Sequence, residues 1–166
     1  MGLYFYDSGD FGKAVTYLEK SLRRNTNPAE IAEAKFKLAI SYQNLNNEKS
    51  ALNLFNELKT SDNQEYSVPS SYYAATIEFK NADYENAVAD FKRIENVGTY
   101  RGEVPSWISF ALYKQGKFDE MLKYTSKILS EPQNGRKLDE IALLTAEVYF
   151  QRSNYVAAAK YYTMFN

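Results

Sequence analysis

A motif of small and aromatic residues returns along this chain every 34 to 37 residues. It reads Tyr6-…-Gly9-Asp10-Phe11-…-Ala14, then Tyr42-…-Asn46-Asn47-Glu48-…-Ala51. It comes back as Phe79-…-Ala82-Asp83-Tyr84-…-Ala87, as Tyr113-…-Gly116-Lys117-Phe118-…-Met121 and as Phe150-…-Ser153-Asn154-Tyr155-…-Ala158. The anchors Ala14, Ala51, Ala87, Met121 and Ala158 stand 37, 36, 34 and 37 residues apart. A period of this size belongs to stacked repeats whose core is shared between neighbours, and argues against one globular enzyme with one catalytic centre.

Composition narrows the function classes. Apolar residues make up 45% and charged residues 25%, the balance of an ordinary folded chain. The net charge is −1, and no basic stripe suited to a nucleic acid is visible. There is no His and no Cys. That removes Cys nucleophiles, His bases and the usual zinc and haem ligands, so no metal or cofactor is expected. No apolar run reaches the length of a membrane span, and the start has no basic n-region or cleavage site. The compartment, periplasmic or cytoplasmic, is not readable.

Each period divides into two helical patterns. The clearest first helix runs from about Pro28 to Leu45, with Asn27 at the N-cap and Pro28 at the first helical position. The second, about Glu48 to Lys59, carries Ala51, Leu52, Leu54, Phe55 and Leu58. The next pair is expected to open at Ser67-Val68-Pro69, turn at Ala82-Asp83 and resume from Tyr84 to about Asn96. Val97 to Gly102 reads as a loop. A fourth pair opens at Val104-Pro105, turns at Gln115-Gly116-Lys117 and runs out near Glu131-Pro132. After the loop Gln133-Asn134-Gly135, a fifth pair covers about Arg136 to Arg152 and Tyr155 to Asn166.

The slots resemble the tetratricopeptide repeat (TPR) along essentially the whole chain. The family places a small residue midway along the first helix, here Gly2, Ala39, Ala75, Ser109 and Ala146. It places an aromatic three residues before the second-helix anchor, here Phe11, Tyr84, Phe118 and Tyr155, with Glu48 departing. Met121 departs from the alanine anchor. A large residue follows four positions on, as Leu18, Phe55, Phe91 and Tyr162, with Thr125 the exception. The resemblance implies an all-α, right-handed α-solenoid of about five TPR-like helix-turn-helix repeats. They fall at approximately residues 1-25, 28-61, 67-97, 103-131 and 136-166 of a single array. The slightly long repeats, rich in Tyr and Asn, resemble the bacterial cell-envelope members.

The same resemblance implies a non-catalytic protein–protein interaction scaffold whose first helices line a groove for a peptide or partner helix. Helical offsets of three and four give three inward rows. One is Tyr6, Gln43, Phe79, Tyr113 and Phe150; the next is Leu3, Ile40, Thr76, Phe110 and Glu147; the third is Phe36, Tyr72, Ser106 and Leu143. The candidate partner-binding residues are Phe36, Ile40, Gln43, Tyr72, Phe79, Phe110, Tyr113 and Phe150. Two readings of these aromatics stand: contact with a ligand, or packing against the neighbouring helix. The family's carboxylate-clamping mode needs cations where this chain has Phe36, Ile40, Thr76 and Pro69. The carboxylate pairs Glu30/Glu33, Asp119/Glu120 and Asp139/Glu140 have no catalytic constellation around them. The rival role is a structural spacer or self-assembly element with an empty groove.

The ends read as those of a piece of a longer chain. Leu3-Tyr4-Phe5-Tyr6 looks like the last turns of a first helix, and Tyr155, Ala158, Tyr161, Tyr162 and Phe165 form an uncapped apolar face. End-to-end self-association is the expected consequence.

Overall fold

The computed structural model describes residues 1–130 and 137–164. Within them the chain is all-α, with no strand. The helices are α1 (Gly2–Asp7), α2 (Phe11–Leu22), α3 (Pro28–Asn44), α4 (Glu48–Leu58), α5 (Gln64–Lys80), α6 (Tyr84–Ile94), α7 (Val104–Lys114), α8 (Phe118–Ser130), α9 (Leu138–Gln151) and α10 (Tyr155–Tyr162). Contacts divide the chain into two compact units, Met1–Ile77 and Glu78–Asn166, the division falling inside α5. The expected helix end at Glu131-Pro132, the loop Gln133-Asn134-Gly135, the start at Arg136 and the terminal Phe165-Asn166 lie outside the described residues.

One local device explains the repeated motif. Gly9, Asn46, Ala82, Gly116 and Ser153 all have positive φ, between 58° and 76°. The next residue's N–H reaches back five positions: Asp10 to the Phe5 carbonyl, Asn47 to Tyr42, Asp83 to Glu78, Lys117 to Leu112 and Asn154 to Tyr149, at 2.9–3.0 Å. This is the Schellman C-cap, which satisfies the carbonyls a helix end leaves open. That same residue then starts the following helix. The side chains of Asp10, Asn47, Asp83 and Asn154 accept from the N–H groups of Lys13, Ser50, Asn86 and Ala157. A single residue thus closes one helix and caps the next, which keeps every hairpin turn short.

Rings lock the hairpins from the side. Tyr6 meets Phe11, Phe79 meets Tyr84, Tyr113 meets Phe118 and Phe150 meets Tyr155, with centroids 5.2–6.1 Å apart and planes 59–74° to each other. Such edge-on pairs contribute about 0.5–1.5 kcal/mol beyond their buried area. The second hairpin has Gln43 and Glu48 at these two positions and so lacks the ring pair.

Ala82 and Ser153 carry the left-handed turn conformation with a Cβ, which costs about 1–2 kcal/mol. Ala82 is exposed, so glycine removes no packing there. Ala82→Gly is expected to stabilise the chain by about 0.5–1 kcal/mol once glycine's own entropy is counted. A denaturant midpoint at or below the wild-type value would contradict the turn assignment.

In the first unit, α3 lies on α2: Ala34 and Leu38 cluster with Ala14 and Leu18. A second cluster joins Ala39, Ala51, Phe55, Ala74 and Ile77. Gly2 sits where α1 crosses α2. A Cβ on it would stand 2.9 Å from the Leu18 side chain and 3.1 Å from the Leu18 backbone nitrogen. Only a missing side chain allows that approach.

The Tyr42 hydroxyl of α3 donates to Glu19 of α2. Desolvation, and then the Glu19 carboxylate, push the Tyr42 phenol up to about 12. The folded state therefore holds this proton more tightly than the unfolded chain does. Its contribution to stability is intact below pH 10 and is lost as pH rises toward about 12. Tyr42→Phe should remove a phenol that ionises near pH 12 from an alkaline ultraviolet titration of the 15 tyrosines. An unchanged titration curve would place that proton elsewhere.

Two expected boundaries move. α5 begins at Gln64, not at Ser67, and Pro69 lies inside it. Asn63 supplies the start, its side chain accepting from the Glu65 N–H and its carbonyl from Ser67. The cap outweighs the proline, which costs least near a helix start. The segment expected as a loop after Val97 contains a 3-10 turn over Gly98–Gly102, and Gly98 has φ 36°.

The second unit repeats the packing of the first. Ala87, Phe91, Ile108, Ala111 and Met121 are fully buried, so the departing anchor Met121 fills the same interior slot as alanine. Ile128 and Leu129 of α8 cluster with Ile141 and Ala142 of α9. Lys92 pairs with Glu120 at 3.3 Å, and the Tyr124 hydroxyl donates to Glu95 at 2.8 Å.

Candidate functional site: an apolar groove on the first helices

The eight candidate contact residues divide between the two units. In the first, Phe36 is drawn inward. Its ring lies 6.0 Å from Phe55, 5.6 Å from Tyr66 and 6.0 Å from Tyr73, and Ile40 packs on the same cluster. Gln43 and Tyr72 are half-buried, and the Tyr72 ring stands edge-on to Tyr73.

In the second unit the rows open a surface. The last turn of α5 brings Phe79 beside α7, and Phe79 and Phe110 line one cavity of about 410 Å³. Glu103, Ser106, Trp107, Lys114, Lys137 and Glu140 complete its wall. A second cavity of about 590 Å³ shares Phe110 and Glu140 and extends along α9 to Leu143, Leu144 and Glu147. Phe110, Leu143 and Phe150 are 38%, 60% and 52% exposed. Folding thus leaves three large apolar side chains in water on the first-helix faces.

Polar bonds hold the walls in place. Ser106 donates to Glu140 at 2.7 Å, and Lys137 reaches the other oxygen of that carboxylate at 3.2 Å. This ties α7 to α9. Gln151 donates to the Tyr113 hydroxyl and to Glu147, both at 2.9 Å, and Tyr162 donates to Glu147 at 3.3 Å. Desolvation, followed by the nearby Glu147 charge, pushes the Tyr162 phenol up.

Trp107 is a wall residue that the helical rows pass over, because it sits one position beyond the Ser106 slot. Its ring meets Phe79 edge-on at 5.0 Å and stacks on Phe91 at 6.0 Å. Being the one tryptophan of the chain was its only mark in the sequence.

Most of the paired carboxylates already have partners. Glu30 accepts from Asn25 and Asn27, Glu33 pairs with Lys37, and Asp119 pairs with Arg152 at 2.6 Å. The Arg152 guanidinium holds the Asp119 carboxyl below the usual carboxylate range. Among the described residues, no group of three or more Asp or Glu is placed to hold a metal ion. None of the described helices is long and apolar enough to cross a membrane.

Residues 1–66 match the family model for the tetratricopeptide repeat. A crystal structure of MamA shares the fold at 18% identity, with a TM-score of 0.70 over 98% of this chain and 90% of that one. MamA from Desulfovibrio magneticus RS-1, from residue 41 to its end, is 15% identical with a TM-score of 0.67, over 98% of this chain and 88% of that one. No curated protein sequence matches the chain significantly. The likeness to these structures is one of fold, and the fold is a helical solenoid. Repeats of this kind mark an interaction scaffold, typically a non-catalytic one. Residues 1–66 thus resemble the tetratricopeptide repeat, and their positive-φ turn and buried second-helix anchor recur at 82–87, 116–121 and 153–158.

Proposed function

We propose that the groove of the second unit holds a peptide or helix of a partner protein, and that the chain acts as a non-catalytic scaffold. The exposure of Phe110, Leu143 and Phe150 beside two adjoining cavities carries this reading. Apolar side chains clustered in water along a concave wall are the common mark of a binding site. The fixed carboxylates of Glu140 and Glu147 supply polar contacts at its edge. An apolar or aromatic anchor of the partner would seat between Phe79, Trp107 and Phe110, where desolvation gives the largest gain. The spacer reading draws its support from the first unit, where Phe36 and Ile40 pack inward.

A random peptide library selected on the wild-type chain tests the proposal. Enriched peptides should carry apolar anchors and lose at least about tenfold in affinity to a Phe110→Glu/Leu143→Glu variant, the equivalent of 1.4 kcal/mol or more. The helical dichroism should be unchanged. Peptides that bind both proteins equally would overturn the groove, and failure to enrich any peptide would favour the spacer.

A further inference from the structure

We propose that the partner segment held by this groove is basic: it seats an apolar anchor beside Phe110 and Leu143 and lays an arginine on the carboxylate of Glu147. This rests on the groove reading above and adds the charge of its occupant. α9 carries Glu140, Leu143 and Glu147 at offsets of three and four, so the three share one helix face. Leu143 stands in water, 60% exposed, with a carboxylate one turn to either side. These three residues line the cavity of about 590 Å³ together with Phe110 and Leu144. Its wall holds two acids and, among the described residues, no cation.

The two acids differ. Glu140 is already neutralised, since Lys137 lies 3.2 Å from one of its oxygens and the Ser106 hydroxyl donates to the other. Glu147 receives neutral donors. Gln151 donates to one oxygen at 2.9 Å and the Tyr162 hydroxyl to the other at 3.3 Å. Among the described residues, no Lys or Arg forms an ion pair with Glu147. The upward shift of the Tyr162 phenol, caused first by desolvation and then by the Glu147 charge, shows that this charge is felt inside the site. A half-buried carboxylate fixed from two sides has little freedom left to lose on taking a partner. Each of its oxygens keeps a lone pair, which the two parallel N–H groups of a guanidinium match. The Phe110 ring in the same cavity offers that guanidinium a second contact. Glu103, half-buried in the wall of the neighbouring cavity, likewise forms no ion pair among the described residues. An acidic segment would meet like charge at Glu103 and Glu147, opposed only by Lys114, which is exposed and borders the first cavity alone.

Parallel selections from one random peptide library, on the wild type and on Glu147→Gln, test the charge. Wild-type binders should carry an arginine at a fixed spacing from their apolar anchor. Binders of Glu147→Gln should keep the anchor and lose the arginine. A synthetic wild-type binder should lose at least about tenfold in affinity to Glu147→Gln. Its arginine→citrulline form should show the same loss on the wild type and no further loss on the variant. Glu85→Gln, the same charge change at an exposed position of α6, should leave affinity within about twofold. Binders without arginine, or with equal affinity for the wild type and Glu147→Gln, that still need Phe110 and Leu143 would overturn the basic partner and leave the groove standing. Binders indifferent to Phe110→Glu/Leu143→Glu, or a library that yields none, would overturn both.

Discussion

Phe55→Ala is expected to destabilise the chain by about 3–5 kcal/mol, the cost of removing a buried aromatic and leaving its cavity. Phe55 is wholly buried in α4. Its ring stacks on Tyr73 at 5.2 Å with the planes 15° apart and meets Phe36 edge-on at 6.0 Å. Ala39, Ala51 and Ala74 make up much of the surrounding cluster, and their side chains cannot extend to fill the gap. In a repeat array each hairpin depends on its neighbours, so the loss acts on the shared core and not on one helix. Urea unfolding followed by helical dichroism measures it. A midpoint within error of wild type would mean that α4 does not pack on the faces described.

Ala87→Leu should cost about 1–3 kcal/mol by the opposite route. Ala87 is fully buried, one turn before the buried Phe91. Three added carbons have no void to enter, so α6 must move from its neighbours or take strained rotamers. The exposed Ala89 on the same helix is the control, and leucine there should change the midpoint by less than about 0.5 kcal/mol. Equal effects at positions 87 and 89 would refute the register.

The parts of this fold that were legible in the sequence are those set by short-range chemistry. Gly9-Asp10 and Asn46-Asn47 announce a turn because Gly and Asn accept a left-handed conformation and the next residue caps a helix, whereas Ala82-Asp83 and Ser153-Asn154 show only the capping residue at the same place in the repeat. The anchors Ala14, Ala51, Ala87 and Ala158 mark close helix contact by size alone. What was not legible depended on competition or on distance along the chain. Pro69 suggests a helix start, and only the Asn63 cap, five residues of helix earlier, displaces it.

The candidate site divides in the same way. Helical spacing places Phe36 and Phe110 on equivalent faces, but it cannot say that Tyr66 and Tyr73 enclose the first while the second stays in water. Trp107 escapes the rows because a large ring reaches beyond its own slot to Phe79 and Phe91. The Ser106–Glu140 bond joins residues 34 apart and becomes visible only when α7 and α9 are side by side.

Photo-crosslinking at the groove tests the central claim most directly. A photoreactive phenylalanine analogue replaces Phe110 in one preparation and the exposed Ser126 of α8 in another, each in the protein's own cellular setting. The account predicts a discrete crosslink to a different protein from position 110 and none from position 126. Equal crosslinking from the two positions, or crosslinks from position 110 to nothing but further copies of this chain, would contradict it.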